Sequence, residues 1–418
     1  MDRLTRLFNP RSIAVIGGGA WGSEVIRQCQ KIGFAGDIWV VHPTKDDIAG
    51  LAPFRAIEDL PAPPDAVFIG VNRHATVDAV RSLSSIGAGG AICFASGFRE
   101  AVHEVGDGAD LQDAMLSAAG DMPIIGPNCY GFLNYLDGIT LWPDQHGGVP
   151  TDSGVAIIAQ SSNVAINLTM QTRGLPVAYV VTVGNQAQTG LSEIGQSLLA
   201  NPKVTALGLY IEGVDDLEAL VALAETARDL GKPIVALKTG QSEQAQRAAI
   251  SHTASLAGSD AGAGALFDRL GIGRVTSLSA FLETLKLLHV VGLLDAPRIA
   301  SMSCSGGEAS LMADMAHGSD VTFPPLTQDQ RDVLRETLGP IVTLSNPLDY
   351  HTFIWGDETA MTATFAAMMS DQVALGVVVL DFPRQDRCAS PDWDLALRAV
   401  AHAQKTSGLA NRCTEFTG

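Results

Sequence analysis

One histidine, His252, stands in the run Ser251-His252-Thr253-Ala254-Ser255-Leu256-Ala257-Gly258, just after a strand-like Pro233 to Lys238. Its neighbours are small or hydroxylated, and no second metal ligand accompanies it. An uncrowded imidazole of this kind suits a nucleophile that accepts a bulky group, and phosphate is the natural one. Glu212 ends the strand-like run Ala206 to Ile211. A carboxylate there can accept the other ring N–H, fixing the tautomer and stabilising a charged ring, although an acid at that place would equally cap a helix. Gln160-Ser161-Ser162-Asn163 lies between a strand (Val155 to Ala159) and a helical stretch (Val164 to Gln171). The run Ser303-Cys304-Ser305-Gly306-Gly307-Glu308 repeats that arrangement before the helical stretch Ala309 to Ala316. Helix starts present unpaired N–H groups to anions, so Ser161, Ser162, Gly306 and Gly307 are candidates to hold one phosphate from two sides. Each serine alone would serve as an ordinary cap. The pairing with His252 favours phosphate.

Gly17-x-Gly19-x-x-Gly22 follows the apolar run Ser12 to Ile16, and such a turn aims helix N–H groups at a pyrophosphate. A nicotinamide site would carry Asp or Glu at the end of the second strand. Here the chain reads Val41-His42-Pro43-Thr44-Lys45, and Lys45 points instead to a ligand with an additional phosphate. A glycine turn that binds nothing is the alternative. Ser96-Gly97-Phe98 and Gly126-Pro127-Asn128 follow two further strand-like runs, at the edge of an open sheet where ligands bind, though Gly-Pro-Asn also makes a plain turn.

Positioning such groups requires alternating strands and helices, and the pattern supplies them. Apolar runs at Ser12 to Ile16, Ile38 to Val41, Ala66 to Val71, Gly90 to Phe94 and Met122 to Ile125 are separated by helix-length stretches, which implies a parallel, doubly wound sheet. A polar, Pro/Gly-rich passage from Asp137 to Gly154 breaks the rhythm, and Asp295-Ala296-Pro297 reads as a second linker. The domains expected are 1–136, 150–294 and 298–418. Beyond about Thr406 the pattern stops, as in a frayed terminus or one from which a further strand is missing.

The length of 418 residues, 46% hydrophobic and 17% charged with 43 glycines, fits a multidomain α/β protein. A net charge of −18 argues against nucleic-acid binding, which needs Lys and Arg to neutralise phosphates. Six scattered cysteines without a Cys-x-x-Cys pair suggest neither a zinc site nor disulfides. No apolar run reaches the roughly 18 residues of a membrane span and Met1 to Asn9 has no signal-like core, so a cytoplasmic location is expected.

Val183-Gly184-Asn185-Gln186-Ala187, Tyr210-Ile211-Glu212-Gly213 and Lys238-Thr239-Gly240-Gln241-Ser242, together with the histidine run, resemble ADP-forming acyl-CoA synthetases, relatives of succinyl-CoA synthetase. The resemblance covers nearly the whole chain. It implies an N-terminal Rossmann-like CoA-binding domain followed by two flavodoxin-like domains. It also implies a relay in which acid, CoA and ATP give acyl-CoA, ADP and phosphate by way of an acyl phosphate and a phosphohistidine. His252 would carry the phosphoryl group and Glu212 would orient it. Ser161, Ser162, Gly306 and Gly307 would hold the phosphate. Gly17, Gly19, Lys45, Ser96, Gly97 and Asn128 would lie along coenzyme A. Ala254 and Ser162 stand where the family commonly has glycine. Nothing resembles the ATP-grasp domain, so ATP/ADP with Mg is expected on a partner domain or subunit, in an oligomer. The competing expectation is a regulatory or degenerate CoA-binding protein of the same fold; a dehydrogenase is disfavoured by Lys45. For the acid itself, Tyr350, Trp355 and Trp142 are possible liners of the acyl pocket.

Overall fold

The structure, a computed structural model, describes residues 2–102, 104–214, 216–242, 244–245, 260–369, 372–384 and 386–407; His252 lies outside them. The chain divides into two compact units, Met1–His289 and Val290–Gly418.

The first unit opens with a short helix α1 (Thr5–Phe8) and an open sheet of β1 (Ser12–Ile16), β2 (Asp37–Val41), β3 (Ala66–Ile69), β4 (Ala91–Cys93) and β5 (Ile124–Ile125). All pair in parallel in the order β2-β1-β3-β4-β5. The connections carry α2 (Ala20–Ile32), α3 (Arg73–Ser85) and α4 (Gly108–Ala119). Strands β1, β3 and β4 are buried along their whole length, which is why they read as continuous apolar runs instead of alternating ones. Winding reverses between β1 and β3, so the loops after these strands diverge and leave a crevice.

A second sheet in the same unit contains β6 (Phe132–Asn134), β7 (Ile139–Leu141), β8 (Gly154–Ala159), β9 (Val177–Thr182), β10 (Val204–Ile211), β11 (Ile234–Lys238) and β12 (Gly273–Val275). Its order is β12-β11-β10-β8-β9-β6-β7, with the five strands from β8 to β12 parallel and the β6–β7 hairpin antiparallel against β9. Its helices are α5 (Ser162–Thr169), α6 (Leu191–Leu199), α7 (Leu217–Asp229), α8 (Asp260–Leu270) and α9 (Leu278–Val291). The parallel part repeats the winding of the first sheet, and its own reversal falls between β8 and β10. The hairpin is a departure from the sequence reading, which saw only a break in the rhythm there: residues 132–134 and 139–141 are strands of the second sheet.

Two loops dock the sheets to each other, backbone against backbone. Asn185 N–H donates to Pro127 O and Ala187 N–H to Gly126 O, each at 3.0 Å. Gly184 has φ 52°, and a Cβ on it would collide with the Pro127 and Asn128 carbonyls, so only glycine fits. Gln188 finishes the join: its Oε1 accepts from Ile124 N–H at 2.9 Å and its Nε2 donates to Gly120 O and Met122 O, both at 3.1 Å.

The second unit holds a parallel sheet β14-β13-β15, from β13 (Ile299–Ser303), β14 (Leu348–Asp349) and β15 (Leu375–Val378). Its helices are α10 (Gly306–Ala316), α11 (Gln328–Leu338), α12 (Glu358–Met368) and α13 (Pro391–Thr406). Tyr350 is fully buried in its core, and Trp355 packs edge-on to Trp393 at 5.4 Å. Among the described residues no helix is long and apolar enough to cross a membrane.

The β6–β7 passage also buries a histidine. His146 is 9% exposed, its Nδ1 lies 3.0 Å from the Tyr135 hydroxyl, and burial pushes its pKa down to about 4. The unfolded chain takes up a proton near the ordinary value of about 6.5 and the folded one does not, so stability is lost as pH falls from 6.5 towards 4. At about 1.4 kcal/mol per unit the loss approaches roughly 3 kcal/mol. In urea unfolding, the stability difference between wild type and His146→Phe should shift in favour of the variant by about that amount between pH 7 and pH 4. A difference independent of pH would refute the assignment.

Candidate functional site

Both crevices open into one cleft of about 970 Å³ in the first unit. The first sheet contributes the ends of β3, β4 and β5, including Ser96 and Asn128; the second contributes the ends of β8, β9 and β10, including Ser161, Ser162 and Glu212. Strands of two parallel sheets thus point their carboxyl ends at a common space, the edge at which such sheets bind ligands.

At the second sheet, the helix start after β8 faces the cleft. Ser161 is the N-cap of α5, its Oγ accepting from Val164 N–H at 3.4 Å. Ser162 Oγ accepts from Tyr130 N–H at 3.3 Å, and Thr182 Oγ1 accepts from Tyr130 N–H and Gly131 N–H at 3.0 and 2.9 Å. Ser162 is therefore a tie between the sheets as well as a helix-start residue. The turn carrying Glu212 is held by Gln160, the buried first residue of the run Gln160-Ser161-Ser162-Asn163, to which sequence reading gave no role of its own. Gln160 Oε1 accepts from Glu212 N–H and, at 3.0 Å, from Gly213 N–H, while its Nε2 donates to Gly213 O at 2.8 Å. The amide locks the ends of β8 and β10 together across their reversal, which fixes where Glu212 begins.

At the first sheet, Glu100 organises the loop after β4. Its carboxylate accepts from Gly97 N–H at 2.7 Å, Phe98 N–H at 3.1 Å and Asn185 Nδ2 at 2.5 Å. Arg73 reaches over the same loop, donating to Gly97 O at 2.8 Å and pairing with Asp107 at 2.7 Å, which holds the Asp107 carboxyl below the usual range. Gly97 is covered in this way, whereas Ser96 lines the cleft. Sequence reading gave Glu100, Arg73 and Gln160 no role, because each has a partner in a distant loop: Asn185 for Glu100, Gly97 for Arg73 and Gly213 for Gln160.

The glycine turn is built by steric need at two positions and left open at a third. A Cβ on Gly17 would lie 2.8 Å from Gly70 O, and one on Gly22 would lie 2.9 Å from Gly17 O. Gly19, the N-cap of α2, has nothing within 4 Å of such a Cβ, so the helix start stays accessible. Lys45 Nζ donates to Gly18 O at 2.5 Å and so sits at the turn. These residues fit a phosphate-bearing ligand laid over the start of α2.

Gly306 and Gly307 begin α10 in the second unit. Carboxylates surround that helix start: Asp349 Oδ2 would lie 3.1 Å from a Cβ on Gly306, and burial, then Asp381 and Asp349, push the Glu308 pKa up. The cysteines are structural where buried, with Cys29 and Cys93 raised to about 12 by burial. Trp142 is fully buried, so it backs the cleft without lining it.

Residues 11–135 match the family model of a CoA binding domain, and residues 152–288 match that of a succinyl-CoA ligase like flavodoxin domain. A trans-feruloyl-CoA synthase of an unknown prokaryotic organism is 29% identical over 398 residues, which make up 93% of this chain and 56% of that protein. Subunit alpha of an ADP-forming acetate–CoA ligase II from Pyrococcus furiosus is 27% identical over 366 residues, 86% of this chain and 79% of the subunit. The fold matches that of acetyl-coenzyme A synthetase 1 of Ca. Korarchaeum cryptofilum with a TM-score of 0.85 at 23% identity, over 99% of this chain and 88% of that one. The chain spans about half the length of the first curated relatives it matches.

Replacing Gln160 by methionine keeps the side chain's length and removes three hydrogen bonds at a buried turn. Gln160→Met should destabilise the protein by at least about 3 kcal/mol, since it strands three backbone groups and each costs about 1–3 kcal/mol. Denaturant midpoints measure this, and a loss under about 0.5 kcal/mol would mean that the amide does not hold the turn.

Proposed function

We propose that this chain, which belongs to the ADP-forming acyl-CoA synthetases, is the portion of such a ligase that binds CoA and relays a phosphoryl group between an ATP-using partner and a carboxylic acid. The observation that carries the proposal is the convergence of Ser161, Ser162 and Glu212 from one sheet with Ser96 and Asn128 from the other in a single cleft. The relatives above are named as ligases of different acids, and the length that this chain does not span in them leaves room for the ATP-grasp part.

In the proposed direction of synthesis, His252 receives a phosphoryl group from the ATP-using partner and passes it to the acid's carboxylate oxygen. The N–P bond breaks as the O–P bond of the acyl phosphate forms. The CoA thiolate then attacks the acyl carbon, the C–O bond to phosphate breaks, and phosphate leaves. Glu212 accepts the second ring N–H of His252 and balances the charge of the phosphorylated ring. The N–H groups at the start of α5, with Ser161 and Ser162, stabilise the charge that develops on phosphoryl and acyl oxygens. Gly17, Gly19 and Lys45 lie along CoA, with Lys45 near a phosphate of its nucleotide end. Ser96, Gly97 and Asn128 lie along the arm of CoA, and Gly306 and Gly307 begin a helix of the second unit that is a phosphate candidate of its own, with carboxylates flanking it. The domain division 1–136, 150–294 and 298–418 is part of the same proposal.

Run in reverse, the half-reaction needs no nucleotide. Incubation of the chain with acyl-CoA and inorganic phosphate should leave an acid-labile phosphate on His252, located by mass spectrometry of peptides. His252→Ala should carry none, and Glu212→Gln should label at least about 10²-fold more slowly. Labelling that persists in His252→Ala would overturn the assignment, and CoA binding without any labelling would favour the regulatory alternative.

A further inference from the structure

The cleft has an aromatic wall that the phosphoryl relay does not use. Trp21 in the first turn of α2, Phe94 after β4 and Tyr130 after β5 all line it. Their ring centroids are 5.3 Å apart for Trp21 and Phe94, 5.8 Å for Phe94 and Tyr130, and 6.1 Å for Trp21 and Tyr130, with tilts of 44°, 44° and 52°. Core rings set the two inner members: Phe68 lies 5.6 Å from Phe94, and Trp142 stands edge-on to Tyr130 at 5.5 Å, both fully buried. Trp21 stays 45% exposed over them. A single exposed tryptophan means little, but three rings facing one cleft form an apolar patch inside a polar site.

The wall's position selects what it can hold. Tyr130 N–H donates to Ser162 Oγ, so the wall begins beside the helix start assigned to the phosphoryl group. The acid's carboxyl must reach that point to exchange phosphate, and the rest of the acid must leave along an adjoining surface. Among the described residues the rest of the lining is mainly polar, with Ser96, Asn128, Asn163, Asn185 and Glu212, and its other apolar members, Val71, Ala95 and Cys129, are small beside the rings. The rings are the apolar exit. Tilted rings spaced by 5–6 Å match the offset and edge geometries in which aromatic groups attract one another, and a methyl group would leave most of their surface uncovered.

We propose that Trp21, Phe94 and Tyr130 form the acyl subsite and that the substrate is an aromatic carboxylic acid, not a short aliphatic one. The assignment rests on the CoA-ligase function above. Calorimetry with the full chain tests both, using CoA, acetyl-CoA and benzoyl-CoA as probes. Benzoyl-CoA should bind roughly tenfold or more tightly than acetyl-CoA. Trp21→Ala should bring the ratio to within about twofold, and Trp21→Phe should keep most of it; thermal melting checks that both variants are folded. Equal affinities in the wild type would overturn the aromatic assignment while leaving CoA binding intact. An equal weakening of both acyl-CoAs in Trp21→Ala would assign the wall to the CoA arm and overturn it too. If neither CoA nor either acyl-CoA binds, the proposed function fails and the subsite with it.

Discussion

The contact between the loop Gly126–Asn128 and the loop Val183–Gln186 is the constraint on which the cleft depends. Two open parallel sheets each gather ligand-binding loops at one edge, yet each alone offers only half a site. Docking through backbone hydrogen bonds, with glycine at position 184 because no Cβ fits, leaves little freedom for the edges to slide. Glu100 then holds Asn185 against the Ser96 loop, and Ser162 and Thr182 hold Tyr130. These ties are short polar contacts between loops. They register the two halves more closely than an apolar face would, since hydrogen bonds are directional and core contacts are not.

The two halves share a winding order, and that symmetry explains why the cleft sits where it does. In each sheet the strand that starts the unit is flanked by the second and third strands, and the crevice opens at that reversal. In the first sheet it is framed by Gly17 and Gly70. In the second it is bridged by Gln160 and Glu212. A buried amide bridging a reversal can satisfy three backbone groups at once, where a hydroxyl could satisfy fewer. Gln160 thereby converts an opening between strands into a rigid floor.

What could be read from residues alone was whatever depends on neighbours in the chain. Fully buried parallel strands such as β1, β8 and β9 announce themselves as apolar runs, and the loops after β4, β5, β8 and β10 carry Ser96, Asn128, Ser161, Ser162 and Glu212 to the cleft. The hairpin of β6 and β7 escaped because each strand has three residues and a polar passage surrounds it. The roles of Gln160, Glu100 and Arg73 escaped because each ties to a residue 24 to 85 positions away. Trp142 was recognised as a large aromatic residue near a site, but pattern carries no depth, and it lies wholly beneath the surface that Tyr130 presents.

Under the proposed relay, the donors of the cleft would let a chain with a net charge of −18 handle phosphate without trapping it. Among the described lining residues the arginine, Arg73, already spends its charge on Asp107 and on Gly97 O. Besides His74, whose ring lies 3.8 Å from Asp107, the donors that remain are hydroxyls, carboxamides and helix N–H groups. A full cation at close range would hold an anion more tightly, with attraction scaling inversely with the local dielectric. Neutral dipoles stabilise the same oxygens without a deep well for inorganic phosphate. For a group that must arrive, change partners and leave in both directions, tight ground-state binding adds to every barrier, whereas fixed dipoles aimed at developing charge lower the transition state in preference. The acidic composition and the cation-poor cleft are therefore compatible with the proposed reversible phosphoryl relay, and the rigidity imposed at Gly184 keeps the dipoles of the cleft aligned.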